Sequence, residues 1–296
     1  MRERRRIAAW FALLLLVVST VAAAGVEAID DRGMRVEIAR PPQRIVSLMP
    51  SLTEAVCALN ACNRLVGVDD YSNWPAAVNG LPHVGGLEDA RVEAIVALRP
   101  DLVVAPTSSR ALPRLQALGL TVLALEPRTL RDVRRVLQVL GPVLGAADPD
   151  AVWQRINREV QVAAQHLPAT RRGTRVYVEV SNTPYAASEG SFIGELLVRL
   201  GAENIVPATL GPFPRINPEF VVRADPQVII VGRADAAALR NRPGWERITA
   251  VRQGQVCALE AGQMDVLMRA GPRLGDAAHL LVACLLGRVS TESGHR

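Results

Sequence analysis

Hydrophobic residues gather in short continuous runs separated by longer stretches with helical periodicity. The runs within residues 44–48, 102–105, 175–180 and 228–231 lack the polar and apolar alternation of a half-exposed strand. Strands without that alternation are covered on both faces, as in parallel sheets flanked by helices. The pattern therefore predicts an α/β fold.

The order of features in the first half of the chain returns in the second half. Glu93 precedes Pro100 by seven residues and a buried strand follows; Glu219 precedes Pro226 by the same distance, again before a strand. Each half also opens with a strand, a polar loop and a helix. Two echoes in the same order predict two pseudo-duplicated lobes with central, mostly parallel sheets.

One long α-helix is predicted between the lobes. Asp148 and Pro149 are typical of a helix start, Pro168 of a stop, and apolar residues between them recur at spacings of three and four. A single stiff linker predicts that the lobes move little relative to each other. The predicted organisation is a signal peptide at 1–24, an N-terminal extension at 25–43, an N-terminal lobe at 44–147, the linker helix at 148–168, a C-terminal lobe at 169–290 and a tail at 291–296.

The first 24 residues have the pattern of a secretory signal peptide. Arginines near the start precede an apolar run, Ile7 to Val18, which is too short to span a bilayer and leads to three alanines at 22–24. Removal of this segment takes away four arginines and one glutamate and lowers the formal net charge from +5 to +2. The sequence therefore predicts a secreted, periplasmic protein.

Composition excludes several classes of function. A nearly neutral mature chain without a basic stripe does not suit nucleic acid. All 34 lysine or arginine positions are arginine, so enzymes that need a lysine as Schiff base, general base or phosphate-loop residue are excluded. The first strand is not followed by a glycine-rich turn, and Ser191 lacks the glycine two residues earlier that a hydrolase nucleophile elbow needs. We expect no catalytic residues and no enzyme activity.

Four cysteines in an oxidising compartment favour disulfides. Cys57 lies close to Cys62 in the sequence, and Cys257 could pair with Cys284; buried free thiols are the alternative. The four histidines are scattered and no Cys-x-x-Cys motif is present. The sequence therefore predicts neither a metal site nor a resident cofactor.

Ligands of open α/β sheets collect beyond the carboxyl ends of the strands. Several of the chain's few aromatic residues fall on loops at those ends, which favours a binding cleft between the lobes. The residues predicted to lie there are Met49, Pro50, Tyr71, Trp74, Leu87, Pro106, Thr107, Ser108, Arg110, Tyr185, Ser188, Phe213, Met264, Asp265 and Arg269.

Longer segments resemble a known family. They are RIVSLMPSLTE at 44–54, LVGV at 65–68, VEAIVALRPDLVV at 92–104, SFIGELL at 191–197 with LGAENI at 200–205, and the stretch from Glu219 to Pro226. The chain resembles the iron-chelate and cobalamin-binding components of bacterial ABC importers, in which a single helix links two lobes. The resemblance covers residues from about 44 to the C-terminal helix.

The resemblance implies partners. Glu93 and Glu219 correspond to surface glutamates, one on each lobe, that pair with arginines of an ABC permease dimer carrying its ATPase. An acidic residue in the first turn of a helix is also stabilised by the helix dipole, so both roles are compatible. We expect a monomer in solution that binds no nucleic acid.

The resemblance also implies a ligand. Residues matching the corrinoid pocket of the family's cobalamin-binding members are Pro50, Tyr71, Tyr185, Phe213, Asp265 and Arg269, whereas Leu87 and Pro106 replace pocket tryptophans. Arginines such as Arg110 and Arg269 would meet carboxylate or phosphate groups of a ligand. The expected ligand is a metal chelate, with cobalamin first and a ferric siderophore or haem as the alternative. A ligand-free interaction or sensor module of the same fold is the other reading.

Overall fold

The computed structural model describes residues 25–146, 148–181 and 184–289 and folds them into two α/β lobes joined by one helix. The predicted signal peptide and the predicted tail lie outside the described residues. Within those three ranges, every helix is too short or too polar to cross a membrane.

The N-terminal lobe is built on a parallel sheet. Its elements are β1 (Val26–Ile29), β2 (Arg35–Ile38), β3 (Ile45–Ser47), α1 (Pro50–Ala58), β4 (Leu65–Val68), α2 (Val92–Ala97), β5 (Leu102–Ala105), α3 (Leu112–Ala117), β6 (Val122–Ala124) and α4 (Leu130–Leu144). The strand order is β4, β3, β5, β6, with every pair parallel. All residues of β3, β5 and β6 are buried, which explains why their sequences show no alternation.

Strands β1 and β2 form an antiparallel hairpin that precedes this sheet. Buried Ala28, Val36 and Ile38 join the core of the lobe. The Asp31 backbone N–H donates to the carbonyl oxygen of Ala124 at 2.9 Å, so the tip of the hairpin reaches the end of β6. The N-terminal extension is therefore a part of the lobe.

The linker helix α5 (Pro149–Gln165) begins at Asp148, whose carboxylate accepts a hydrogen bond from the Ala151 N–H at 2.9 Å. Its apolar stripe, which includes Val152, Ile156 and Val160, is buried. The helix packs against α4 of the N-terminal lobe and against α6 (Phe192–Leu200) and α11 (Leu274–Leu285) of the C-terminal lobe. One hydrophobic core therefore runs through both lobes.

The C-terminal lobe repeats the parallel plan. Its elements are β7 (Arg175–Ser181), β8 (Tyr185–Ala186), α6 (Phe192–Leu200), β9 (Glu203–Asn204), α7 (Pro218–Ala224), β10 (Val228–Gly232), α8 (Arg233–Leu239), α9 (Thr249–Arg252), β11 (Val256–Leu259), α10 (Ala261–Met268) and α11 (Leu274–Leu285). The sheet order is β11, β10, β7, β8, and β9 also pairs with β7. Only the β7 and β8 pairing is antiparallel among the described strands of this sheet, which confirms the predicted architecture.

Two disulfides are present. Cys57 at the end of α1 is bonded to Cys62, and Cys257 in β11 is bonded to Cys284 in α11. The predicted pairing is confirmed, so the free-thiol alternative is wrong. The second bond ties the last helix to an outer strand of the sheet.

The N-terminus of α4 carries a capping box that makes stability depend on pH. Burial acts to raise the pKa of Asp132, but hydrogen bonds from the Thr129 hydroxyl and from the Arg128 and Thr129 N–H groups outweigh it and hold the pKa below its ordinary value. A lowered carboxyl pKa adds stability above the unfolded-state value, and that stability is lost as pH falls through the folded-state value.

We therefore expect Asp132→Asn to flatten the acid side of the stability profile. The measurement is the free energy of urea unfolding between about pH 3 and pH 6. The substitution should change stability most near neutral pH and least at the acid end. Parallel profiles for the parent and the variant would contradict a titrating cap.

Candidate functional site

A cavity of about 630 Å³ lies between the lobes, at the carboxyl ends of both parallel sheets. This is where an open α/β sheet presents its ligand loops. Its size falls within the range of about 300 to 1,000 Å³ that small-molecule sites occupy. The lining residues are Met49, Pro50, Ser51, Tyr71, Glu126, Pro127 and Arg128 from the N-terminal lobe, and Val180, Phe192, Leu210, Gly211, Pro212, Phe213, Asp265, Met268, Arg269 and Ala270 from the C-terminal lobe.

The structure brings part of the predicted set together around this cavity. The predicted residues that line it are Met49, Pro50, Tyr71, Phe213, Asp265 and Arg269. They come from both lobes, as a shared cleft requires. The remaining predicted residues, which do not line it, are Trp74, Leu87, Pro106, Thr107, Ser108, Arg110, Tyr185, Ser188 and Met264.

Trp74 was expected in the cleft, and the structure places it elsewhere. Its ring lies in a separate depression and packs against the Arg273 guanidinium, whose carbon is 5.2 Å from the ring centroid. The attraction between a cation and the ring face accounts for this position. Trp74 therefore joins the two lobes instead of facing the cavity.

Other predicted residues stand outside the cavity lining for local reasons. Arg110 pairs with Glu88 at 2.9 Å on the exposed surface. Tyr185 is 42% exposed and forms an isolated bridge with Arg215. The Ser188 hydroxyl donates to the carbonyl oxygen of Gly211 at 2.6 Å and so shapes a loop that does line the cavity.

Arg269 was expected to meet an anionic group of the ligand, but the structure gives its guanidinium protein partners. Nη1 donates to Glu54 Oε1 at 3.0 Å and to Asn73 Oδ1 at 2.8 Å. Nη2 donates to the Tyr71 carbonyl oxygen at 2.9 Å and pairs with Asp265 Oδ2 at 3.1 Å. The side chain is buried and links the two lobes at the wall of the cavity.

Glu126 and Arg128 also line the cavity, although they are not among the predicted residues. They follow β6, so the strand-end rule applied to that strand would have found them. Burial acts to raise the pKa of Glu126, but hydrogen bonds from the Thr107 hydroxyl and from Arg128 outweigh it and lower the pKa. Glu126 is paired with Arg128 at 3.2 Å in the cleft.

Apolar side chains form the wall that the C-terminal lobe contributes. Phe192 begins α6 and is buried, and its ring meets Phe213 edge to face with centroids 6.0 Å apart. Val180 and Met268 extend this surface. The wall can pack against a flat, weakly polar ligand.

Tyr71 faces this wall from the N-terminal lobe and is 69% exposed. Its backbone is held by the buried Asp69, which accepts hydrogen bonds from the Tyr71 N–H at 2.9 Å and from the Ser72 hydroxyl. Burial raises the pKa of Asp69 above its ordinary value. The ring therefore stands in solvent on a fixed backbone, a suitable position for contacting a ligand.

Residues 25–146, 148–181 and 184–289 contain no group of three or more histidine, cysteine, aspartate or glutamate side chains that could hold a metal ion.

Two surface glutamates occupy equivalent places on the two lobes. Glu93 lies in the first turn of α2 and Glu219 in the first turn of α7. Both side chains are well exposed; Glu93 pairs with Arg114 at 2.8 Å, and Glu219 lies 3.8 Å from Arg223. Such exposed pairs are weak, so either glutamate is free to exchange its partner.

Two pseudo-duplicated lobes, one linking helix and an interlobe cleft are the architecture typical of a substrate-binding protein. The chain belongs to the periplasmic binding protein family, whose model matches residues 45–261. Members of this class work outside the cytoplasm and deliver ligands to ABC importers.

Relatives extend this assignment. An ABC transporter substrate-binding lipoprotein of Bacillus subtilis, YvrC, is 30% identical over 83% of this chain and 81% of its own. A vitamin B12-binding protein of Vibrio cholerae serotype O1 is 30% identical over 80% of this chain and 87% of its own.

Solved structures agree with the fold. The vitamin B12-binding protein BtuF of Vibrio cholerae superposes with a TM-score of 0.67 at 26% identity, covering 83% of this chain and 97% of its own. A periplasmic heme-binding protein of Pseudomonas aeruginosa superposes with a TM-score of 0.70 at 28% identity, covering 84% and 94%.

Proposed function

We propose that this protein is secreted through an N-terminal signal peptide into the periplasm, where it captures cobalamin and delivers it to an ABC permease dimer with its ATPase. Cobalamin is then the cargo and not a resident cofactor. The observation that carries the proposal is the charge balance of the cavity. Arg128 is paired with Glu126, and Arg269 with Asp265, so each of the two lining arginines has a carboxylate partner.

This balance suits a ligand that has no net charge and whose ring periphery is neutral. The corrin ring of cobalamin carries uncharged amide side chains, which donate hydrogen bonds to carboxylates and accept them from a phenol. Asp265, Glu126 and Tyr71 offer such partners, and Phe213 offers an apolar surface. Haem and many ferric siderophores carry carboxylates or other anionic groups, which favour unpaired guanidinium groups. The vitamin B12-binding relatives support the same choice.

Haem is the second candidate, because of Tyr71. An exposed phenol at the edge of the cavity is a group that can ligate haem iron. The structural likeness to a heme-binding protein of Pseudomonas aeruginosa supports this candidate. Leu87 and Pro106, which the family resemblance aligns with tryptophans of a corrinoid pocket, do not line this cavity, so less aromatic surface is available to cobalamin.

Titration of the purified mature protein separates the candidates. We expect cyanocobalamin to bind with a stoichiometry of one, and haem and a ferric hydroxamate to bind more weakly, as measured by isothermal titration calorimetry. Saturable binding of haem, with a phenolate-to-iron absorption band, would mean that haem and not cobalamin is the ligand. Absence of binding by all three compounds would contradict chelate capture and favour the interaction module.

Phe213→Ala tests whether the cavity is the binding site. Loss of a packed aromatic contact is expected to weaken cyanocobalamin binding about tenfold, which corresponds to about 1.4 kcal/mol. The control is Leu118→Ala, an exposed apolar residue at the end of α3 outside the cavity lining. Equal affinities for the parent and both variants would place the ligand elsewhere.

A further inference from the structure

Five side chains form one polar cluster across the boundary between the lobes, here called the cross-lobe cluster. Glu54 and Asn73 belong to the N-terminal lobe, and Asp265, Arg269 and Arg273 to the C-terminal lobe. Glu54 Oε1 accepts from Arg269 at 3.0 Å and from Arg273 at 2.6 Å. Asn73 accepts from Arg269 at 2.8 Å and donates to Asp265 Oδ2 at 2.8 Å.

The cluster is buried where it joins the lobes. Relative exposure of the side chain is 1% for Glu54, 7% for Arg269 and 13% for Arg273. Bonds between charged partners in such surroundings are stronger than exposed ones and hold a defined geometry. The lobes are therefore fastened together here as well as through the linker helix.

The same cluster reaches the cavity. Arg269 Nη2 donates to the carbonyl oxygen of Tyr71, so the segment that carries the Tyr71 ring is tied to the C-terminal lobe. Asp265, which lines the cavity, is held by a hydrogen bond from Asn73 and by its ion pair with Arg269. The positions of Tyr71 and Asp265 relative to each other thus depend on bonds between the lobes.

On the opposite side of the cavity the lobes are also joined. The Phe192 N–H donates to the Arg128 carbonyl oxygen at 2.9 Å, and Glu195 accepts from the Leu130 N–H at 2.6 Å. Both sides of the cleft therefore carry cross-lobe hydrogen bonds in this structure.

We propose that the cross-lobe cluster sets the width of the cleft and slows ligand release, with Asn73 as a positioning residue that does not line the cavity. The part concerning release rests on the proposed function. Opening the cleft at the Tyr71 side requires the Asn73 and Arg269 bonds to break. Removing one bonding partner should speed opening, and the ligand should dissociate faster.

Asn73→Ala tests the proposal. It removes the amide that bonds Arg269 and Asp265 without changing the identity of any cavity-lining side chain. With cyanocobalamin as the probe, stopped-flow measurement should give a dissociation rate about tenfold higher and an association rate changed less than about twofold. A merely structural role would lower the fraction of active protein without altering the dissociation rate.

Asn157→Ala is the matched control. The Asn157 amide oxygen accepts from Arg199 Nη1 at 2.9 Å, an asparagine and arginine bond like that of Asn73 that includes no residue of the cross-lobe cluster. The parental dissociation rate is expected for this variant. An equal change in both variants would overturn the proposal, because the effect would then be general loosening.

Amide hydrogen exchange of the ligand-free protein tests the cluster without reference to any cargo. Asn73→Ala should accelerate exchange of amides in residues 69–74 by about tenfold, with Asn157→Ala unchanged there. Parental exchange in Asn73→Ala would overturn the cluster's role even if cyanocobalamin binds. Faster exchange combined with no binding of cyanocobalamin by the parent would retain the role and reject cobalamin as the cargo.

Discussion

Reversing Glu93 and Glu219 together to arginine is expected to abolish importer-dependent uptake while leaving ligand binding in solution unchanged. The two carboxylates are exposed at equivalent places on the two lobes, where a two-subunit permease can meet one with each subunit. A native exposed pair is worth only about 0 to 1 kcal/mol, but an arginine facing an arginine is repelled and can cost several times more. Reversal therefore has a much larger effect than neutralisation.

Uptake of labelled cyanocobalamin by cells that express the parent or the variant provides the measurement, and calorimetry provides the binding control. We expect uptake to fall by more than about tenfold in the double variant and by less in either single variant, because each glutamate supplies one of the two contacts. The matched control is a double variant, Glu27→Arg and Glu246→Arg. It makes the same change in charge, with one exposed glutamate reversed on each lobe, away from residues 93 and 219. Parental uptake with both reversals at 93 and 219 would mean that these residues do not dock.

The parts of the fold that sequence predicts well are those determined by local pattern. Strands β3, β5, β7 and β10 appear where continuous apolar runs stand, because a strand buried on both faces has no polar alternation to display. Helix α5 follows from its N-cap and its apolar spacing. The paired glutamates were found by their equal distance from a proline.

The candidate site was predicted only in part, because strand ends indicate a region and not the direction of a side chain. Trp74 and Tyr71 are three residues apart, yet Tyr71 lines the cavity and Trp74 packs on Arg273. Arg269 lies 215 residues from Glu54, and no local spacing connects them. An unpaired arginine and a paired one look the same in a sequence, so the protein partners of Arg269 could not be predicted.

The N-terminal hairpin shows the same limit at short range. Strand β2 has the alternating burial of a half-covered strand, but a pattern of four residues is too short to distinguish a strand from a loop in the sequence. The hairpin contacts the cavity region through the turn before β2, where the Asp31 carboxylate accepts a hydrogen bond from the N–H of Glu126 at 2.7 Å. A segment outside the family match thus supports a residue of the cavity.

Glu54→Ala is expected to lower the free energy of unfolding by about 3–5 kcal/mol, because it leaves Arg269 and Arg273 buried without the carboxylate that both of them contact. Equilibrium urea unfolding, followed by circular dichroism, gives the change. Glu54→Gln retains an acceptor oxygen and should fall between the parent and the alanine variant.

Glu27→Ala gives the exposed counterpart, because Glu27 also pairs with an arginine, at 2.7 Å, on the surface of the hairpin. A loss below about 1 kcal/mol is expected there, since water replaces the lost partner. A loss of that size for Glu54→Ala would mean that water reaches the two arginines as the cleft opens, and the cross-lobe cluster could not then restrain the lobes. A large loss for Glu54→Ala beside a small one for Glu27→Ala would instead mean that burial strengthens this contact between the lobes.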